Sequence, residues 1–190
     1  MRSQLKDKER AVLEATLELI NNSGFHASSM SKIAKMANVA PATIYLYFEN
    51  KQDLINKLYV QIKSEMSHYA FQNYNDKMSV KEGFKLIWGN IAHYKMTHIK
   101  EAMFLSVCDI SPMVDEESKI RGLQHLQPLV DLCTRGQQEG ILKEYSLCLL
   151  YAFAINPLSY LIAKQQDEDI KLDEKMLKTA YELAWDSIKK

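Results

Sequence analysis

Between Met30 and Lys51 the chain has to turn a sharp corner between two short amphipathic segments, and that corner limits what the rest can be. Met30, Ile33, Ala34 and Ala37 recur at i, i+3, i+4 and i+7, which is one face of a short helix. Ser29, with Ser28 behind it, stands where a side-chain oxygen caps the free N–H groups of a first turn. Asn38 follows, the non-glycine residue best suited to a left-handed backbone, and it predicts the end of that helix. Val39 is placed to plug the corner. Pro41 suits the first position of a new helix, where its missing N–H has no partner to lose. Ile44 and Phe48 give the second helix an inward face, and Asn50 with Asp53 three residues on predicts the cap of a third.

Two short helices, a turn of three or four residues and a small residue at the crossing, here Ala34, make up a helix-turn-helix pattern. The residues Gly24-Phe25, Ser29-Met30, Ile33-Ala34, Val39, Pro41, Thr43-Ile44-Tyr45, Tyr47-Phe48, Lys51 and Leu54 resemble the N-terminal domain of TetR-family (AcrR-like) transcriptional regulators. The resemblance covers about the first 55 residues; beyond them only length and helical character are similar. Three positions depart from the family pattern. Its usual turn glycine is Asn38, its frequent Ser or Thr before the recognition helix is Ala40, and an often basic position is Ser31.

The rest of the chain reads as helix throughout. Val12, Leu13, Thr16, Leu17 and Ile20 form a stripe over residues 5 to 22, and Gly24 stops it. A long helix without Gly or Pro is expected from about 51 to 74. Ser79-Val80-Lys81-Glu82 is a capping box opening a helix to about His98. Further helices are expected over about 100–109, over 116–139 with a kink at Pro128, over 146–164 with a bend at Pro157, and over 173–189 behind an Asp173 cap. No strand-like alternation, repeat or low-complexity tract interrupts them. The expected fold is all-α with about nine helices: a three-helix DNA-binding domain over 1–52 (motif about 30–49) and a second domain over 53–190 for effector binding and dimerisation.

Composition excludes several classes. Formal net charge is zero, so DNA attraction depends on local placement. Residues 1–51 carry seven Lys and Arg against five Asp and Glu, a net of +2, with Arg2, Lys6, Lys8 and Arg10 at the extreme N-terminus. Cys108, Cys133 and Cys148 lie far apart without CxxC spacing, which argues against a disulfide framework or zinc and fits a reducing cytoplasm; buried apolar roles are expected for them. The charged N-terminus does not read as a signal peptide. Leu147 to Ala163 lacks charge, but Asn156, Pro157 and Ser159 favour a fully buried helix over a membrane span. No GxSxG, HExxH, P-loop or GxGxxG is present, and the histidines are scattered, so no catalytic, metal or cofactor site is expected.

The resemblance implies a regulator, most often a repressor, that binds a near-palindromic operator as a homodimer and is released by a small molecule. The helix from Pro41 to Tyr47 would enter the major groove, with Ala40, Pro41, Ala42 and Thr43 toward the bases and Leu46 flanking them. None is an Arg, Asn or Gln, so modest direct readout of thymine methyls, supplemented by DNA shape, is expected. Tyr45, Tyr47 and Lys51 are candidates for phosphate, with Ser29 or Ser31 helping. The uncharged 147–163 helix and the last helix are the expected dimer surface, making a four-helix bundle. For a small hydrophobic effector the candidates are Trp88, His93, Tyr94, Met103, Phe104, Gln124 and His125. The rival classes are a helical protein-interaction adaptor without DNA binding and a small α-helical enzyme.

Overall fold

Capping residues written into the sequence set most of the turning points. In the computed structural model, which describes residues 2–190 (side chains of 2–5 and 110 excepted), eleven α-helices occur among the described residues. They are α1 Arg2–Ala27, α2 Met30–Met36, α3 Pro41–Ile44, α4 Lys51–Ala70, α5 Val80–Thr97, α6 Ile99–Ile110, α7 Glu116–Gln124, α8 Gln127–Gln138, α9 Leu147–Ala154, α10 Pro157–Gln166 and α11 Glu174–Ile188. Gly24 interrupts α1 with φ 75° and ψ 169°, a conformation open to glycine. The Ser29 side chain accepts from the Lys32 N–H, and Asn38 turns the chain at φ 52°. Ser79 and Glu82 close a reciprocal capping box, and Asp173 caps α11.

Two expected helices are each split in two. Prolines 128 and 157 open α8 and α10 instead of bending longer helices, because a proline in the first turn loses no hydrogen bond there. This is why the count is eleven rather than nine. Helix α4 also stops at Ala70, four residues early, and Asn73 adopts φ 62° in the turn that follows.

The chain packs as two compact units. The first comprises Met1–Lys63 and Met103–Gly122, the second Ser64–Ala102 and Leu123–Lys190. In the first unit Val12, Thr16, Ile20, Ile33, Ile44, Phe48, Leu54 and Ile55 are buried. A polar seam runs along α4, where Gln52, Asn56, Tyr59 and Lys63 fall within about 60° of one another on the helix wheel. Gln52 donates to the Met113 carbonyl at 2.6 Å, and Asn56 exchanges hydrogen bonds with Asp115. The Tyr59 hydroxyl donates to Asp109 at 2.9 Å, and the buried Lys63 ammonium lies 2.9 Å from the same carboxylate. Gly122 lets α7 close over this cluster, since a Cβ there would sit 2.8 Å from the Tyr59 ring.

The second unit is built on Phe84, Ile87, Trp88 and Ile91 of α5, packed against Leu129, Leu132, Leu150, Leu158, Trp185 and Ile188. Helix α8 meets α5 closely because Gly136 has no side chain. A Cβ there would lie 2.7 Å from Leu142 and 2.8 Å from Val80. Gly136→Ala is therefore expected to cost about 1.5 kcal/mol net, the overpacking outweighing the gain in helix propensity. A lowered urea midpoint at unchanged m would register it.

The apolar stretch Leu147–Gln166 is not the fully buried helix expected from its lack of charge. It is long and apolar enough to cross a membrane by length and composition, yet only 28% of it is buried. Leu149, Phe153 and Tyr160 are exposed, the last two at 64% and 65%. Absence of charge fixes what a helix avoids, not how many of its faces are covered.

Candidate nucleic-acid interface and ligand cavity

The motif forms from its own local signals. Ile33 and Ala34 of α2 and Ile44 of α3 are buried, and the Val39 N–H donates to the Ala34 carbonyl across the turn. Helix α3 is regular only over Pro41–Ile44 and continues as hydrogen-bonded turns to Phe48, shorter than the expected 41–47. Ala40 has no side chain to cap it. With Ile44 and Phe48 inward, Ala40, Pro41, Ala42, Tyr45 and Leu46 face solvent, and Thr43 is half-buried. Tyr45 is 57% exposed and Leu46 74%, so both side chains are open to a partner.

The phosphate candidates divide. Ser29 and Ser31 are exposed, with their hydroxyls 3.0 Å apart. Tyr47 is half-buried, and its hydroxyl is buried with no hydrogen-bond partner. Lys51 is half-buried too. Its ammonium donates to the Phe25 carbonyl and sits 4.0 Å from the centre of the Phe25 ring, and desolvation holds its pKa below the usual lysine value. It ties the broken end of α1 to the start of α4, a fixing role that sequence spacing did not reveal. Of the basic N-terminal group, the Arg2 side chain lies outside the described residues, whereas Lys6, Lys8 and Arg10 are exposed. From Arg2 onward the backbone is helical, so these basic residues sit on the first turns of α1. Removing the orphaned hydroxyl in Tyr47→Phe is expected to leave stability unchanged or raise it by about 1 kcal/mol. Thermal unfolding of the free protein tests this.

The effector candidates do not converge. Met103 and Phe104 fall in the first unit, one exposed and one buried. In the second, Trp88 is core, its indole N–H donating to the Ala154 carbonyl at 2.8 Å. His93 is exposed and stacks on Tyr69. Tyr94 is buried against His98, with ring centres 4.4 Å apart. Gln124 is exposed and His125 half-buried.

None of these lines the apolar cavity of the second unit, about 360 Å³ in volume. That cavity is walled by Phe84 of α5, Leu126, Val130 and Cys133 around α8, and Cys148 and Tyr151 of α9, among others. No charged side chain lines it. A usable signal was the run Leu123, Leu126, Leu129, Val130 and Cys133 at helical spacing along the segment expected to be one helix over 116–139. Cys133 is buried as expected, but Cys148 is exposed.

Comparison with known proteins places these features. Residues 12–58 match the family of bacterial regulatory proteins described as tetR, and residues 79–189 match the tetracyclin repressor-like C-terminal domain. An uncharacterized HTH-type transcriptional regulator of Haemophilus influenzae is 27% identical over 192 residues, spanning all of both chains. The fatty acid metabolism regulator protein of Bacillus subtilis is 36% identical over 84 residues, 44% of this chain and 43% of its own. In fold, a TetR family transcription regulator from Marinobacter aquaeolei superposes with TM-score 0.92 at 24% identity, covering 100% of this chain and 99% of the other. FadR from Bacillus subtilis, solved in complex with stearoyl-CoA, superposes with TM-score 0.73 at 23% identity over 94% of this chain and 98% of its own. Matches that together take in the helix-turn-helix and nearly all of the chain beyond residue 79 leave no room for an enzyme class: the chain is a DNA-binding transcriptional regulator of the TetR family.

Proposed function

We propose that the protein is a cytoplasmic, ligand-released repressor that reads a near-palindromic operator as a homodimer. The observation that carries the DNA reading is the exposed surface from Ala40 to Leu46, held out by the buried Ile44 and Phe48. Ala40, Pro41, Ala42, Thr43 and Leu46 read thymine methyls and a few acceptors, and DNA shape supplies the rest. Tyr45 with Ser29 and Ser31 binds phosphate. Tyr47 swings its orphaned hydroxyl to a phosphate, so Tyr47→Phe weakens binding about fivefold on every sequence alike. Lys51 contributes charge at the same edge while holding Phe25. A DNA-binding domain bounded near residue 52 continues into α4, the element through which a ligand in the second domain biases the spacing of two heads.

The exposed stripe of Leu149, Phe153 and Tyr160, with Leu183 of α11, supports dimerisation through the last two long helical segments. The uncharged cavity wall supports a small hydrophobic effector, and the stearoyl-CoA complex of the Bacillus subtilis relative favours one with an acyl chain.

A gel shift with the DNA upstream of the protein's own gene, at moderate salt, tests the reading. A discrete shift competed by one near-palindrome is expected. Failure to shift any promoter fragment, with a monomer in sedimentation, would favour the adaptor reading instead.

A further inference from the structure

Cys133 of α8 and Cys148 of α9 come from separate helices, yet both line the same apolar cavity. Cys133 is 94% buried by its 6% relative exposure, whereas Cys148 is exposed. At about 100° per residue, Cys148 lies about 60° from Tyr151 on α9 and about 100° or more from Leu149 and Phe153. It therefore stands at the cavity and off the stripe assigned to dimer contact.

We propose that this cavity is a covalent capture site for apolar α,β-unsaturated carbonyl compounds of medium chain length, with Cys148 as the nucleophile. The proposal rests on the cavity being the effector site. The chain of such a molecule is sheltered by Leu126, Val130, Leu150 and Ile155, which hold its electrophilic carbon near the exposed thiol. The Cys148 sulfur bonds to the β-carbon, the C=C π bond breaks, and the thiol proton is made good at the α-carbon. The electron count closes without an oxidant.

The wall chemistry selects this class over others. A charged ligand lying along the cavity would have to shed its hydration against a wall with no compensating group, whereas an apolar chain does not. Cys133 is not the nucleophile, because burial pushes its thiol up to about 11 and keeps it protonated at neutral pH. Cys108, in the first unit, is fully buried and pushed up to about 12 by burial and by Asp109.

The test treats the full-length protein with trans-2-nonenal and reads intact mass, peptide maps and rate. One adduct per chain on Cys148 is expected, forming about tenfold or more faster than on glutathione, because the bound chain raises the local concentration. Cys148→Ser abolishes it. Val130→Phe, which fills the cavity, slows nonenal but leaves iodoacetamide labelling of Cys148 unchanged. Saturated 1-nonanol as competitor makes the same distinction without a mutation. A Cys148 no faster than glutathione, adducts spread over other residues, or indifference to both filling and competition overturns the assignment. Operator release is read separately by gel shift. Capture without release upholds the capture site and counts against the cavity as the effector site.

Discussion

Asp109→Ala is expected to destabilise the protein by about 3 kcal/mol or more, one of the largest effects of any single side chain in the first unit. The substitution strands the Lys63 ammonium, which is 2% exposed and 2.9 Å from the carboxylate. It also deprives the Tyr59 hydroxyl of its acceptor. The reverse change is expected to be mild. Lys63→Met replaces a buried cation with an apolar chain of similar length. It leaves Asp109, whose side chain is 27% exposed, in contact with water and still accepting from Tyr59. A loss within about 1 kcal/mol is expected there, since removing a buried charge avoids the desolvation that keeping it alone would incur. Urea unfolding of the two variants reads the asymmetry directly. Equal losses would mean that the pair acts through packing rather than charge.

The second large effect is expected at the proposed dimer surface. Phe153→Asp combined with Leu183→Asp puts charge on two side chains that are 64% and 67% exposed in the single chain. If they face a second copy, both charges are buried on association and the dimer is lost. One small head then has to hold the operator alone, and affinity falls by about 100-fold or more as the second attachment disappears. Helical content should not change, because neither residue belongs to the chain's own core. Sedimentation and gel shift on the same sample check the pair of outcomes. A monomer that still binds the operator at full affinity would overturn the dimeric mode of reading.

Much of the head could be read before any coordinates because its signals are local. Ser29, Asn38, Pro41 and the Asn50 cap each act within a few residues, and the structure uses each where the sequence put it. The resemblance to a known family rested on the same residues. The polar seam of α4 was not legible. Gln52, Asn56, Tyr59 and Lys63 have partners 46 to 61 residues away, and a lysine among apolar neighbours reads as a solvated side chain until its carboxylate is found. The cavity was missed for a related reason. Its lining residues are ordinary core types, and whether a core is filled or hollow depends on how separate helices approach. The prolines were read correctly as interruptions but too weakly, since Pro128 and Pro157 start new helices instead of bending old ones.

The four attachments along α4 are spaced so that they share one side of it, and this restricts how the helix can move. Rolling the helix about its long axis would strain all four together, whereas carrying residues 109–122 along with it strains none. The reading head and that segment thus behave as a single mechanical part. A signal that reaches the head is expected to shift the whole part as a block, so hydrogen exchange along 52–63 and 109–118 should rise and fall in step whether or not DNA is bound.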